Sequence, residues 1–135
     1  MAVVLDCSIT MALCFEDEQS PTADQAIDAV VENGGWVPGI WWYELRNVLI
    51  VNERRGRIDS VRTASFLADL AALPIEEDRR ADEATVMSLA RKYELSVYDA
   101  TYFELALRRQ LPLATQDRKL TDIAQRCGVH QFEKR

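Results

Sequence analysis

Four carboxylates stand where acids are least expected. Asp6 ends the apolar run Ala2-Val3-Val4-Leu5, and Asp117 follows Leu113-Ala114-Thr115-Gln116. Glu44 projects from an otherwise apolar arc of a predicted helix, between Ile40 and Val48, and Asp99 shares a helix face with Phe103 and Ala106. Carboxylates gathered without matching cations repel one another, and the chemistry that needs such a group is the binding of a hard divalent cation through oxygen ligands. A cation held this way activates water and stabilises charge on a phosphate, so phosphodiester hydrolysis needs neither histidine nor cysteine. A ribonuclease built on two histidines is excluded, because His130 is the only one and reads as structural. Each acid also has a plain reading: Asp6 as a strand-to-helix turn residue, Glu44 as a stripe-edge acid reaching water, Asp99 as a capping-box residue.

The elements that must position these acids alternate. Residues 2–5 form an apolar run suited to a strand buried on both faces, with Ser8 predicted to cap the helix through Ile9 and Leu13. An acidic loop, Glu16-Asp17-Glu18, precedes a helix that opens at Ser20-Pro21 and stops at Gly34-Gly35. Trp36-Val37-Pro38 is a second strand, and a long helix over 40–55 carries Glu44, with Asn47 one turn on to orient it. Asp59 or Ser60 caps the next helix, and Leu73-Pro74-Ile75 returns toward the sheet. Glu76-Glu77-Asp78 reads as a solvated turn before a helix over 79–93, and Ser96 opens a further helix whose wet face is Thr101, Glu104 and Arg108. Leu111 to Ala114 makes a strand, 118–127 a last helix, and 129–132 an edge strand. Strands alternating with helices predict an α/β fold: a three-layer sandwich with a central, mainly parallel sheet flanked by helices. That topology delivers the carboxyl ends of the strands, and with them Asp6, Asp99 and Asp117, to one edge, which Glu44 can also reach.

Composition narrows the partners. The 135 residues are 48% hydrophobic and suit a single domain spanning 1–135. A net charge of -6 argues against coating nucleic acid through bulk positive charge. The basic groups Arg54-Arg55-Arg57, Arg108-Arg109 and Arg118-Lys119 read as solvated helix ends. Three cysteines at 7, 14 and 127, set among apolar residues, read as reduced, mostly buried thiols of a cytoplasmic protein. No apolar run is long enough to span a bilayer.

With its motifs in order, the chain resembles the PIN domain, and specifically the VapC-type toxins of toxin–antitoxin pairs. The resemblance rests on Leu5-Asp6-Cys7-Ser8, on Trp41 through Glu44 with Asn47, on Tyr98-Asp99-Ala100 leading into Tyr102-Phe103-Glu104-Leu105-Ala106, and on Leu113-Ala114-Thr115-Gln116-Asp117 with Leu120. It implies a magnesium- or manganese-dependent endoribonuclease whose acidic quartet is Asp6, Glu44, Asp99 and Asp117, with Ser8 and Thr115 beside it. The expected roles are metal binding by Asp6, Asp99 and Asp117 and positioning of the attacking water by Glu44. The family also implies a homodimer held in check by a cognate antitoxin protein, which the apolar excess of Trp41, Trp42, Tyr43, Leu49 and Ile50 would suit. A phosphatase of the haloacid-dehalogenase type needs a second acid at position 8, where this chain has Ser8. A response-regulator receiver needs paired acids beside its first strand, and Glu16 to Glu18 lie too far along. The remaining alternative is a catalytically silent PIN-like binding module.

Overall fold

A computed structural model describes residues 1–18 and 20–129. Its centre is a four-stranded parallel sheet in the order β3-β2-β1-β4, with β1 Val3–Leu5, β2 Gly35–Pro38, β3 Ile75–Asp78 and β4 Leu113–Ala114. β1 lies inside the sheet, where Val4 pairs with Trp36 on one side and Leu113 on the other. Its side chains are buried on both faces, as an unbroken apolar run requires in a parallel sheet covered by helices.

Seven α-helices flank the sheet among the described residues: α1 Cys7–Ala12, α2 Pro21–Asn33, α3 Gly39–Arg54, α4 Ser60–Ala71, α5 Glu83–Tyr93, α6 Val97–Arg109 and α7 Arg118–Arg126. Both α2 and α6 pack on β1, and α5 lies against α6. The three-layer α/β arrangement is thus the one the alternation of elements predicts. Local chemistry sets most boundaries. Ser20 caps α2 by accepting the Ala23 N–H with Pro21 at the first helical position, and Gly34 ends the helix at φ 91°, a conformation that a side chain would resist. Asp59 caps α4, Asp82 caps α5 and Ser96 caps α6.

Several expectations need correction. The cap of α1 is Asp6, not Ser8, because the helix starts at Cys7, directly after the strand-end acid, whose carboxylate accepts the Ile9 N–H; the Ser8 hydroxyl donates to Asp6 instead. Glu76-Glu77-Asp78 is not a turn but most of the edge strand β3, and α5 starts at Glu83 rather than 79. Glu104 is not on a wet face: it is 2% exposed and paired with Arg108 at 2.9 Å. Nor are Arg108 and Arg109 free helix ends. Both reach the buried Asp78 carboxylate, at 2.9 and 2.6 Å, and the Arg109 guanidinium stacks 3.4 Å from the Trp36 ring centre. Arg57 also differs from a free helix end, since it pairs with Asp17 and Glu18, fastening the acidic 3-10 turn Glu16–Glu18 to the end of α3. The predicted edge strand over 129–132, with His130, falls outside the described residues except for Val129, which is buried.

Candidate active site

The acids meet at the carboxyl edge of the sheet. Asp6 leaves β1 and turns at once into α1, so its carboxylate is fixed by backbone on both sides. One oxygen, Oδ1, accepts the Ser8 hydroxyl at 2.7 Å and the Ile9 N–H at 3.0 Å. The other, Oδ2, accepts the Thr115 hydroxyl, which reaches across from the end of β4. Three donors favour the charged form, yet burial raises the Asp6 carboxyl above its ordinary value, and Asp99 adds to the rise.

The same bonds tie in the loop that bears Asp117. Its N–H donates to the Thr115 hydroxyl at 3.0 Å, and the Gln116 N–H donates to the Ser8 hydroxyl at 3.0 Å. Ser8 and Thr115 are therefore relays between Asp6 and the β4–α7 turn. Asp117 is exposed and caps α7 by accepting the Leu120 N–H at 3.0 Å.

Glu44 and Asp99 arrive on helices. The first turn of α3 is pinned to α1 by Trp41, whose Nε1–H donates to the Thr10 hydroxyl at 3.0 Å; that hydroxyl donates in turn to the Asp6 carbonyl at 2.9 Å. Glu44 Oε1 accepts the Tyr102 hydroxyl at 2.8 Å. Burial raises the Glu44 carboxyl, the Tyr102 bond opposes that, and Asp99 and Asp6 add to the rise. Burial and Glu44 likewise hold the Tyr102 phenol far above its ordinary value, so it stays a proton donor. Asp99 lies half-buried in the first turn of α6, its N–H donated to Ser96 Oγ at 3.0 Å. Burial and Asp117 raise its carboxyl, against Ser96 and Lys119. Lys119 is held off to the side, its ammonium donating to the Glu94 carbonyl at 2.8 Å.

Three of the acids thus feel neighbouring carboxylates beyond the effect of burial: Asp6 feels Asp99, Glu44 feels Asp99 and Asp6, and Asp99 feels Asp117. The orienting bond to Glu44 comes from Tyr102 rather than Asn47, which is exposed. Sequence reasoning missed Tyr102, Thr10 and Trp41 as site supports. The one available signal for Tyr102 was its place one turn beyond Asp99 on the same helix. Cys7 is no nucleophile here, since burial, Glu44 and Asp6 push its thiol up to about 12.

All the donors that face one another are oxygens, the set a hard cation prefers. Among the described residues no three of these groups close on a single point as a preformed cage. Magnesium does not require one, because it retains several waters and is bound through one or two carboxylates plus substrate phosphate. The donor set fits such an ion.

Comparison with known proteins bears on the fold and the family. Several solved structures share the fold, among them the following two. The crystal structure of PAE2754 from Pyrobaculum aerophilum is 30% identical over 90% of this chain and 86% of that one, with a TM-score of 0.68. A toxin–antitoxin complex from Klebsiella pneumoniae is 20% identical over 85% of this chain and 86% of its own, with a TM-score of 0.56. Comparison with curated proteins gives no significant match. The sequence profile of the PIN domain matches residues 3–126, from the first strand to the last described helix, and the chain belongs to the PIN domain family.

Proposed function

We propose that this chain is a magnesium- or manganese-dependent endoribonuclease and the toxin of a VapC-type toxin–antitoxin pair. PIN domains are generally metal-dependent nucleases. The observation that carries the reading is that Asp6, Glu44 and Asp99 lie at one sheet edge beside Asp117 with their carboxyls raised, by burial first and by neighbouring carboxylates second, an arrangement that costs stability unless something positive is bound. Asp6, Asp99 and Asp117 would hold the cation, which when bound neutralises phosphate charge and acidifies water. Glu44 orients the attacking water and takes its proton. Its Oε1 is occupied by Tyr102, and burial raises its carboxyl above the ordinary value, the direction that strengthens a general base.

The toxin reading is supported by the similarity in fold to a toxin–antitoxin complex and by unsatisfied apolar surface. Trp42, Tyr43 and Ile50 are 46%, 67% and 41% exposed along α3, whereas Trp41 and Leu49 are buried. Beside them an apolar hollow of about 180 Å³ lies between α3, α4 and the β2–β3 edge, floored by Leu45, Leu70 and Ile75. We assign the α3 face to a second copy and the hollow to an antitoxin segment. Among the described residues no helix is long and apolar enough to cross a membrane.

Incubating the purified, antitoxin-free protein with single-stranded RNA tests the activity. Cleavage is expected with magnesium or manganese and not with chelator, leaving 5′-phosphate and 3′-hydroxyl ends because water is the nucleophile. Cyclic phosphate ends would overturn the mechanism, and no cleavage with either metal would favour a silent binding module. The same preparation should give a dimer mass by light scattering.

The acids should also report on metal through stability. Because Asp6, Glu44 and Asp99 have raised folded-state pKa values, the apo fold loses stability as pH rises from the ordinary carboxylate range through those values. Asp99→Asn removes one charge, so in chelator at neutral pH it should melt above wild type. Metal at about a hundred times its dissociation constant adds roughly 2.7 kcal/mol to wild type and far less to the variant, reversing the order. Equal melting temperatures in both conditions would show that the acids do not share a metal.

A further inference from the structure

Beyond the acids, the carboxyl edge of the sheet continues into an open hollow of about 580 Å³ between the start of α2 and the β4–α7 turn. We propose that this hollow seats a phosphate of the RNA strand next to the one being cleaved, and that Arg118 is the residue that positions it. The inference rests on the RNA reading above.

Three observations carry it. First, the hollow is contiguous with the acids. Thr115 lines it and at the same time donates to Asp6, so a strand lying across the acid edge passes directly into it. Second, its lining has the chemistry of a phosphate seat. The Thr22 hydroxyl, which has no hydrogen-bond partner among the described residues, and the Ser20 hydroxyl, which accepts two N–H groups and keeps its own proton free, share it with the Arg118 guanidinium, whereas the Thr121 hydroxyl donates to the Asp117 carbonyl at 2.9 Å. Third, Arg118 is exposed and has no hydrogen bond or ion pair among the described residues, whereas Arg57, Arg108 and Arg109 are engaged with carboxylates. In a chain of net charge -6, a free guanidinium immediately after an acid of the site is where a polyanion can be gripped without first breaking an ion pair. Asp122 forms part of the wall as well and works against an anion.

The test is binding of a fluorescent single-stranded RNA by anisotropy in chelator, where nothing is cut, across a series of salt concentrations. Arg118→Ala should weaken binding several-fold and flatten the plot of log affinity against log salt by about 0.7, the release expected for one phosphate contact on a single strand. Arg118→Lys should keep the slope. Asp122→Asn should tighten binding. Arg126→Ala removes the same charge from the other end of α7 and, being outside the hollow, should leave the slope unchanged. With metal present, Arg118→Ala should raise KM with little effect on kcat. Equal slopes for wild type and Arg118→Ala, or equal losses for Arg118→Ala and Arg126→Ala, would overturn the inference while leaving the nuclease reading intact. Loss of affinity for the antitoxin but not for RNA would assign the hollow to the protein partner and overturn it too. Failure of wild type both to bind and to cut RNA would overturn both readings.

Discussion

Asp6→Asn is expected to reduce metal-dependent RNA cleavage by at least about a thousandfold, the several kcal/mol a bound cation contributes to the transition state, while leaving the fold intact. The reason for choosing asparagine lies in the geometry. Asn retains an oxygen to accept the Ile9 N–H and so still caps α1, whereas alanine would sacrifice the cap and about 1 kcal/mol with it. Removing a buried charge that burial and Asp99 already disfavour should not lower the melting temperature in chelator. Retained helical circular dichroism with lost cleavage is the expected pair of readings. An Asp6→Asn protein that still cuts RNA at wild-type rate would remove Asp6 from the chemistry and reduce it to a turn residue.

The second large effect is on stability. Asp78, at the end of the edge strand, is 5% exposed, and its carboxylate meets Arg108, Arg109 and the Arg80 N–H, while Arg108 also holds the buried Glu104. Removing one partner of a buried ionic group leaves the others uncompensated, at a cost of roughly 3–5 kcal/mol. Both arginine side chains are about a third exposed, at 30% and 32%, so water can partly recover them and the lower end applies. Asp78→Ala should therefore cost about 3 kcal/mol, lowering the melting temperature by on the order of 10 °C. The pH dependence has the opposite sign to that of the active-site acids. Arg108 above all holds the Asp78 carboxyl far below the usual carboxylate range. Its contribution is then fully present above about pH 4 and fades as pH falls below it. Melts at pH 7 and pH 3 should show the gap between wild type and Asp78→Ala closing in acid. A gap that stays constant would mean the cost is one of packing, not charge.

These two sites mark where the sequence could and could not be read. Asp6 and Asp117 were legible because each follows a short apolar run, and a strand that ends in an acid announces both its own boundary and the edge to which it delivers the side chain. Asp78 was not. A run of three acids is poor strand material, so Glu76-Glu77-Asp78 reads as solvent-facing until the arginines that neutralise Asp78 are brought up from 30 and 31 residues away. Glu104 failed for a related reason. Helical periodicity set it with Thr101 and Arg108, but Arg108, itself about a third exposed at 30%, folds back over it one turn later and ties the buried Glu104 to Asp78 of β3. The acids of the site were found from residue type and spacing. The groups that hold them, Tyr102 on Glu44 and Trp41 on Thr10, were not, because hydrogen bonds between residues 58 and 31 positions apart leave no periodic trace.

Asp6 and Asp117 each have two employments. Both cap a helix through a backbone N–H, so folding alone would preserve them in a lineage that had abandoned catalysis. Glu44 and Asp99 cap nothing: the start of α3 has no side-chain cap, and that of α6 is capped by Ser96. With nuclease function relaxed, their half-buried charges become a burden, and drift should exchange them first, Glu44 for an amide that still accepts the Tyr102 hydroxyl and Asp99 for an amide or an apolar residue. The fossil of a dead copy would therefore keep the first and last acids of the quartet and lose the middle two, so it is the middle pair that dates the loss.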